Sequence, residues 1–229
     1  MTSLLNDSIK SQVKDFFADL DQPVEILFFG SKDGNCHTCQ DTRELLEEVA
    51  SLHEKITVQI YDLDENKDVA DRYHIDKAPS FAILSGSGDQ TIDFGIRFAG
   101  IPAGHEFTSL INDIVLVSKR ETVLAEETRK ALAKINSPVR LQVFVTPTCP
   151  YCPRAVILAH QMAMESPFIE AEMVEATEFP DLSDQYNVSG VPHTVINDGK
   201  GEVVGAVPEA HLLEKIQEVL DLTKIGEDE

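Results

Sequence analysis

The chain has 229 residues, 42% hydrophobic and 26% charged, enough for one large or two small globular domains and unlike a fibrous or wholly disordered chain. Forty acids against nineteen bases give a formal charge of -21, which excludes the basic surface that a nucleic-acid binder needs. No apolar run approaches the ~20 residues of a membrane helix, and Met1–Asp7 lacks the basic patch and apolar core of a secretory signal, so a cytoplasmic protein with no membrane partner is expected.

In chain order, Ile9, Val13, Phe16, Phe17 and Leu20 recur at helical spacing, and Pro23 closes that helix. A strand then runs through Phe29. The loop Ser31–Asn35 follows, and a second helix is expected from near Cys36 past Leu45, Leu46, Val49 and Leu52. Residues 56–60 are rich in β-branched side chains and read as a strand, with a short helix over 65–73. After Pro79 come two strands split by the turn cluster 85–89, then a helix from near His105 to Val117. The order then repeats. A helix is expected over 121–135, a strand over 139–145, a helix from Cys149 to about Met164, a strand over 168–174 and a helix over 178–186. Asn197-Asp198-Gly199-Lys200-Gly201 marks a hairpin before strand 202–206. A last helix runs from about Pro208 to Leu222, ahead of an acidic tail at 225–229.

This recurrence extends to the residues themselves. Cys36 and Cys149, Tyr73 and Tyr186, and Pro79 and Pro192 all keep one and the same separation along the chain. Upstream, Pro23–Phe29 matches Pro138–Phe144 at a slightly larger offset, because the first copy carries two extra loop residues. Near the ends the offset shrinks, where Gly100 meets Gly205 and Phe107 meets Leu212. Two homologous domains follow, 1–118 and 119–229, joined near Ser118-Lys119-Arg120 without a long linker. Each is expected to hold a mixed four-stranded sheet with helices on both faces, since a βαβ start is followed by a hairpin and a helix.

The four cysteines form two pairs, Cys36-His37-Thr38-Cys39 and Cys149-Pro150-Tyr151-Cys152. Each pair stands where a strand ends and a helix begins. The first turn of a helix has unbonded N–H groups and the positive end of the dipole, and both stabilise a thiolate. The first cysteine of each pair can then attack a disulfide, and the second, nearly a turn on, can resolve the mixed disulfide. His37, when protonated, would make its pair more oxidising. A zinc site shared between pairs so far apart in the chain, each in its own repeat copy, is disfavoured, and no metal is expected. A purely structural bridge closing so small a loop would remove little chain entropy. Pro79 and Pro192 keep the same spacing to the pairs. A cis proline there would expose the backbone of Ala78 or Val191 for pairing with a substrate strand. Tyr151 is expected to line that groove.

These features resemble the thioredoxin fold, and Cys149-Pro150-Tyr151-Cys152 matches the glutaredoxin-type motif. Two such units, together with the segments Val145–Pro153 and Phe98–Phe107, resemble the glutaredoxin-like protein disulfide oxidoreductases of thermophilic archaea and bacteria. The resemblance implies an enzyme that reduces, forms or isomerises protein disulfides and uses no bound cofactor beyond its redox-active disulfides. It implies disulfide-containing protein substrates and an NADPH-dependent thioredoxin reductase-like electron donor. It also implies that the C-terminal pair does most of the work, with Cys149 as nucleophile. His37-Thr38 departs from the family's usual aromatic before the second cysteine, and the chain has no tryptophan. For the buried acid of a thioredoxin, Glu25 is the nearest candidate in the first copy, though an exposed side chain is expected there. Arg140 and Gln142 occupy that strand in the second copy. His193 and Arg154 are expected to be ordinary structural or surface residues. Two alternatives stand beside this: an electron relay in a peroxiredoxin-reducing system, whose first unit normally lacks a cysteine pair, and a non-catalytic protein-binding module.

Overall fold

A computed structural model describes residues 4–32 and 36–227, so part of the loop Ser31–Asn35 and the last two residues of the acidic tail lie outside the described residues. Helix α1 (Asp7–Phe17) opens where the Asn6 side chain accepts from Ile9 N at 2.9 Å, and it turns Val13 and Phe17 inward. The first half continues as β1 (Val24–Gly30), α2 (Cys39–Ala50), β2 (Ile56–Asp62), α3 (Lys67–Arg72), β3 (Ser80–Ser85), β4 (Ile92–Ala99) and α4 (Phe107–Lys119). The second half is α5 (Glu126–Leu132), β5 (Val139–Val145), α6 (Cys152–Met164), β6 (Ile169–Glu175), α7 (Pro180–Gln185), β7 (His193–Ile196), β8 (Gly201–Val204) and α8 (Glu209–Glu227).

Several boundaries differ from the sequence reading. The helix expected over 121–135 is only α5. Arg120 adopts a left-handed conformation (φ 55°), and the next residues bond to α6 instead of to a helix of their own: Val123 N donates to Gln161 Oε1 at 2.8 Å. The helices expected to start at Cys36 and Cys149 start at Cys39 and Cys152. The first cysteine of each pair therefore sits in the turn just ahead of its helix.

The strands form one eight-stranded sheet in the order β2-β1-β3-β4-β6-β5-β7-β8. Within each half the pattern is the same. β1 is parallel to β2 and antiparallel to β3, and β5 is parallel to β6 and antiparallel to β7. The sequence predicted two four-stranded sheets; parallel pairing of β4 with β6, from Ile96↔Ala171 to Ala99↔Val174, fuses them. Backbone bonds repeat as well. Gly100 N donates to Pro79 O and Gly205 N to Pro192 O, both at 2.8 Å. His74 and Asn187, which are repeat equivalents, have φ of 52° and 53°.

β1 is buried along its whole length, so its two faces feed different cores. Val24, Ile26 and Phe28 join a large core shared with α1, α2, α4, α6 and α8, which runs across both halves. Leu27 and Phe29 face α3 with Ala70, Ile75, Ala82 and Leu84. The matching α7 core holds Ala99, Phe144, Val174 and Val195. Between α3 and α7 the β4–β6 seam is ionic. Lys77 pairs with Glu172 at 2.7 Å, Arg140 with Glu172 at 3.2 Å and His74 with Glu170 at 3.0 Å. No helix among the described residues is long and apolar enough to cross a membrane.

Candidate active site

Because β1, β4, β6 and β5 all run in the same direction, the C-terminal ends of β1 and β5 open on the same edge of the sheet. Each end carries a cysteine pair. Cys36–Cys39 and Cys149–Cys152 are disulfide-bonded, with Cα–Cα separations of 5.4 and 5.5 Å. The strand order places β3, β4 and β6 between β1 and β5. Four strand spacings of about 4.8 Å set the two pairs roughly 19 Å apart. The fold therefore brings each pair to the same edge but does not bring the pairs together.

The pairs differ in environment. Cys149 is 7% exposed and Cys152 fully buried, whereas Cys36 and Cys39 are both half-buried. At the second pair the residue ahead of the helix, Tyr151, is 64% exposed, and Pro153 occupies the first turn of α6. At the first pair, Ser31 N donates to Cys39 Sγ at 3.4 Å. A cleft of about 360 Å³ adjoins Cys39, lined among others by Phe28, Lys32, Arg43 and Ile60.

The prolines sit beside these pairs. Register pairs Phe29 with Ser80 and Phe144 with His193, so Pro79 and Pro192 lie opposite the ends of β1 and β5. The Ala78–Pro79 and Val191–Pro192 bonds are both cis. Ala78 and Val191 are half-buried, and both stand ahead of the strand ladders that begin at Ser80 and His193.

The secondary candidates fall elsewhere. Glu25, expected to be exposed, is 7% exposed and accepts a hydrogen bond from Gln59 Nε2 of β2. It is buried because it lies on the α3 face of a central strand. Yet it stands near the start of β1, about 17 Å along the strand from the thiols, too far for the role of a thioredoxin's buried acid. Arg140 near the start of β5 and Gln142 at its middle both donate to Glu172. His193 is buried with its ring 3.1 Å from Glu202, and Arg154 is exposed on α6.

Two acids that the sequence reading passed over take more telling positions. Residues 104–106 form a single 3₁₀ turn before α4, docked on the turn that leads to Cys149: His105 N donates to Pro147 O at 3.0 Å. Gly104 (φ +60°) permits this approach, since a Cβ there would stand 2.2 Å from Pro147 O. Glu106 in this turn is 1% exposed and receives only the Ser109 hydroxyl, at 2.6 Å, while its Oε1 has no partner. Burial pushes its carboxyl up to about 7 despite the Ser109 bond, and Asp113 adds to the rise. Asp113 itself, paired with His160 at 2.6 Å between α4 and α6, is also raised by burial. The second acid, Glu178, reaches from the loop after β6 into the first pair: Thr38 Oγ1 donates to its Oε2, and Ile101 N to its Oε1 at 2.7 Å. Neither acid has a spacing signal in the sequence, because only folding brings Glu178 to Thr38 and docks the turn of Glu106 on Pro147. Among the described residues no cluster of three or more His, Cys, Asp or Glu side chains could hold a metal ion.

The arrangement can be compared with known proteins. A family model described as a thioredoxin domain matches residues 139–218. The crystal structure of a protein disulfide oxidoreductase from Aeropyrum pernix K1 is 31% identical, with a TM-score of 0.83, and the match covers 92% of this chain and 91% of that one. The chain belongs to the protein disulfide oxidoreductase family. It is thus a tandem thioredoxin-like α/β protein with two cysteine pairs, as the resemblance in the sequence implied. Another member of this wider group of folds, the N-terminal domain of the alkylhydroperoxide reductase AhpF from Enterococcus faecalis, is 29% identical with a TM-score of 0.84, over 93% of this chain and 99% of that one. A protein described as NADH dehydrogenase from Bacillus subtilis is 25% identical over 226 residues, which are 99% of this chain and 40% of the relative. The chain therefore spans about two fifths of the length of the curated relatives it matches.

Proposed function

We propose that this chain is a protein dithiol–disulfide oxidoreductase built from two units, 1–118 and 119–229, with Cys149–Cys152 as the main working pair and Cys36–Cys39 as a second. The observation that carries this is the pairing of each disulfide with a helix start and a proline-led strand on one edge of the sheet. In the reducing direction the Cys149 thiolate attacks one sulfur of a substrate disulfide. A mixed disulfide forms and one substrate thiolate leaves, taking up a proton. The Cys152 thiolate then attacks Cys149 Sγ, restoring the Cys149–Cys152 disulfide and freeing the second substrate thiol. Two electrons pass from the pair to the substrate, and a thiol-delivering donor of the NADPH-dependent thioredoxin reductase type restores the dithiol. Run backwards, the same steps oxidise a substrate dithiol.

The exposure pattern supports Cys149 as the attacking residue, because its partner Cys152 is fully buried. Val191 and Ala78 supply backbone ahead of each ladder for a substrate strand, with Pro192 and Pro79 shaping those edges and Tyr151 forming one wall. The test is dithiothreitol-driven reduction of insulin by the parent, a Cys36→Ser/Cys39→Ser variant and a Cys149→Ser/Cys152→Ser variant. Loss of activity in the last alone is expected. Equal rates in all three, no faster than dithiothreitol itself, would overturn the proposal in favour of a non-catalytic binding module.

A second reading rests on the likeness to a domain of an alkylhydroperoxide reductase. In it the same exchange delivers electrons to a partner that reduces peroxides. Transfer from the reduced chain to a peroxiredoxin disulfide, faster than to insulin, would favour it.

A further inference from the structure

Glu178 belongs to the second half, yet its carboxylate closes on the dipeptide of the first half's cysteine pair. Its two oxygens have different partners: Thr38 Oγ1, immediately before Cys39, and the backbone N–H of Ile101. The loop that carries it is braced, since Glu175 Oε2 accepts from Glu178 N and from Thr177 Oγ1, both at 2.7 Å. Gly100 (φ +95°) makes room for it, because a Cβ there would stand 2.6 Å from Glu175 Cβ and 2.9 Å from Glu178 Oε1. The contact runs one way only. Glu65, the repeat equivalent of Glu178 in the first half, pairs with Lys32 at the surface at 2.6 Å. Tyr151, the equivalent of Thr38, is largely exposed.

We propose that Glu178 is a positioning residue for the Cys36–Cys39 pair, holding Thr38 across the junction of the halves and placing a fixed negative charge at the start of α2 that lowers the pair's reduction potential. The inference rests on the oxidoreductase reading above. Thr38 is the residue that caps α2, and its hydroxyl makes no bond to the helix's own N–H groups. The start of a helix favours a thiolate through its free N–H groups and dipole. A carboxylate there opposes that effect. A pair whose reduced form is less stabilised is a weaker oxidant, so its potential falls. Burial raises the Glu178 carboxyl, the Thr38 and Ile101 bonds oppose that rise, and Glu175 is the other charged group that acts on it.

The test uses the full chain carrying Cys149→Ser/Cys152→Ser, so that only the first pair titrates. In glutathione buffers one Cys36–Cys39 disulfide and two glutathione thiols exchange with one dithiol and one glutathione disulfide, two electrons and two protons passing. Glu178→Gln should shift this equilibrium roughly tenfold toward the dithiol, near 30 mV, the size of one charge–charge interaction close to the surface. Thr38→Val, which frees the carboxylate, should shift it the same way by less. Alkylation of Cys36 by iodoacetamide should move to lower pH in Glu178→Gln. Unchanged equilibrium and alkylation profiles in both variants would overturn the proposal, even if turnover fell. Should Glu178→Gln fail to fold, Thr38→Val decides alone. A parent pair that does not exchange with glutathione at all would overturn the proposal too, while the oxidoreductase reading would still stand or fall on Cys149–Cys152 in the insulin assay.

Discussion

Glu106 offers the sharpest quantitative check, because one substitution removes its charge with almost no change in shape. In the folded chain its carboxyl titrates at about 7, against an ordinary 4.5, because the side chain is 1% exposed and has one hydroxyl partner. A carboxyl raised by folding binds its proton more tightly in the native state, so stability is lost as pH rises through this window. Each tenfold change in proton affinity is about 1.4 kcal/mol, so the full rise corresponds to about 3 kcal/mol, of which about 2.5 kcal/mol falls between pH 5 and 8.5. Glu106→Gln keeps the acceptor for Ser109 and does not titrate. Urea unfolding of parent and variant at pH 5 and 8.5, both fully oxidised, gives four free energies. The variant should gain about 2.5 kcal/mol on the parent between the two pH values. Asp113 and His160 are present in both proteins and largely cancel in the comparison. A constant difference between parent and variant across this range would refute the reasoning and mean that Glu106 reaches water. Because this turn docks beside Pro147, the pH profile of insulin reduction should also flatten in the variant between pH 6 and 8.

Three further outcomes follow from the same structure. Gly104→Ala places a Cβ 2.2 Å from Pro147 O at a left-handed φ, so it should cost about 2 kcal/mol or more and lower the melting temperature by about 4–8 °C. An unchanged melting temperature would mean that the turn is not docked there. Arg97 is 4% exposed and binds both Asp93 oxygens, at 2.6 and 2.8 Å, and Tyr73 O at 2.7 Å. Arg97→Met should cost about 3 kcal/mol by leaving Asp93 without its two-pronged partner, read by urea unfolding at pH 7. Finally, pairs roughly 19 Å apart on one sheet cannot exchange directly. Electrons placed on one pair should reach the other at a rate proportional to protein concentration, followed by mass spectrometry of trapped thiols, and a concentration-independent rate would contradict the strand order.

How much of this was legible depends on how local each signal is. The cysteine pairs, the prolines and the duplication lie within single segments or recur at one constant spacing, so the sequence alone determined the thioredoxin-like repeat and its candidate redox residues. Strand and helix order followed from periodicity, and only ends moved, as at α5, where the left-handed Arg120 and the bond from Val123 N to Gln161 on α6 hold the preceding residues out of the helix. Glu25 shows the limit: an acid on a strand is legible, but its depth and its distance from the thiols depend on which face and which end of the sheet it occupies. The fusion into eight strands, the docking of the Glu106 turn on Pro147 and the reach of Glu178 to Thr38 were decided by tertiary structure alone. Each depends on groups far apart in the chain, brought together by the pairing of β4 with β6. No local propensity encodes that contact, because its stability comes from apolar surface and hydrogen bonds that exist only once both halves are folded.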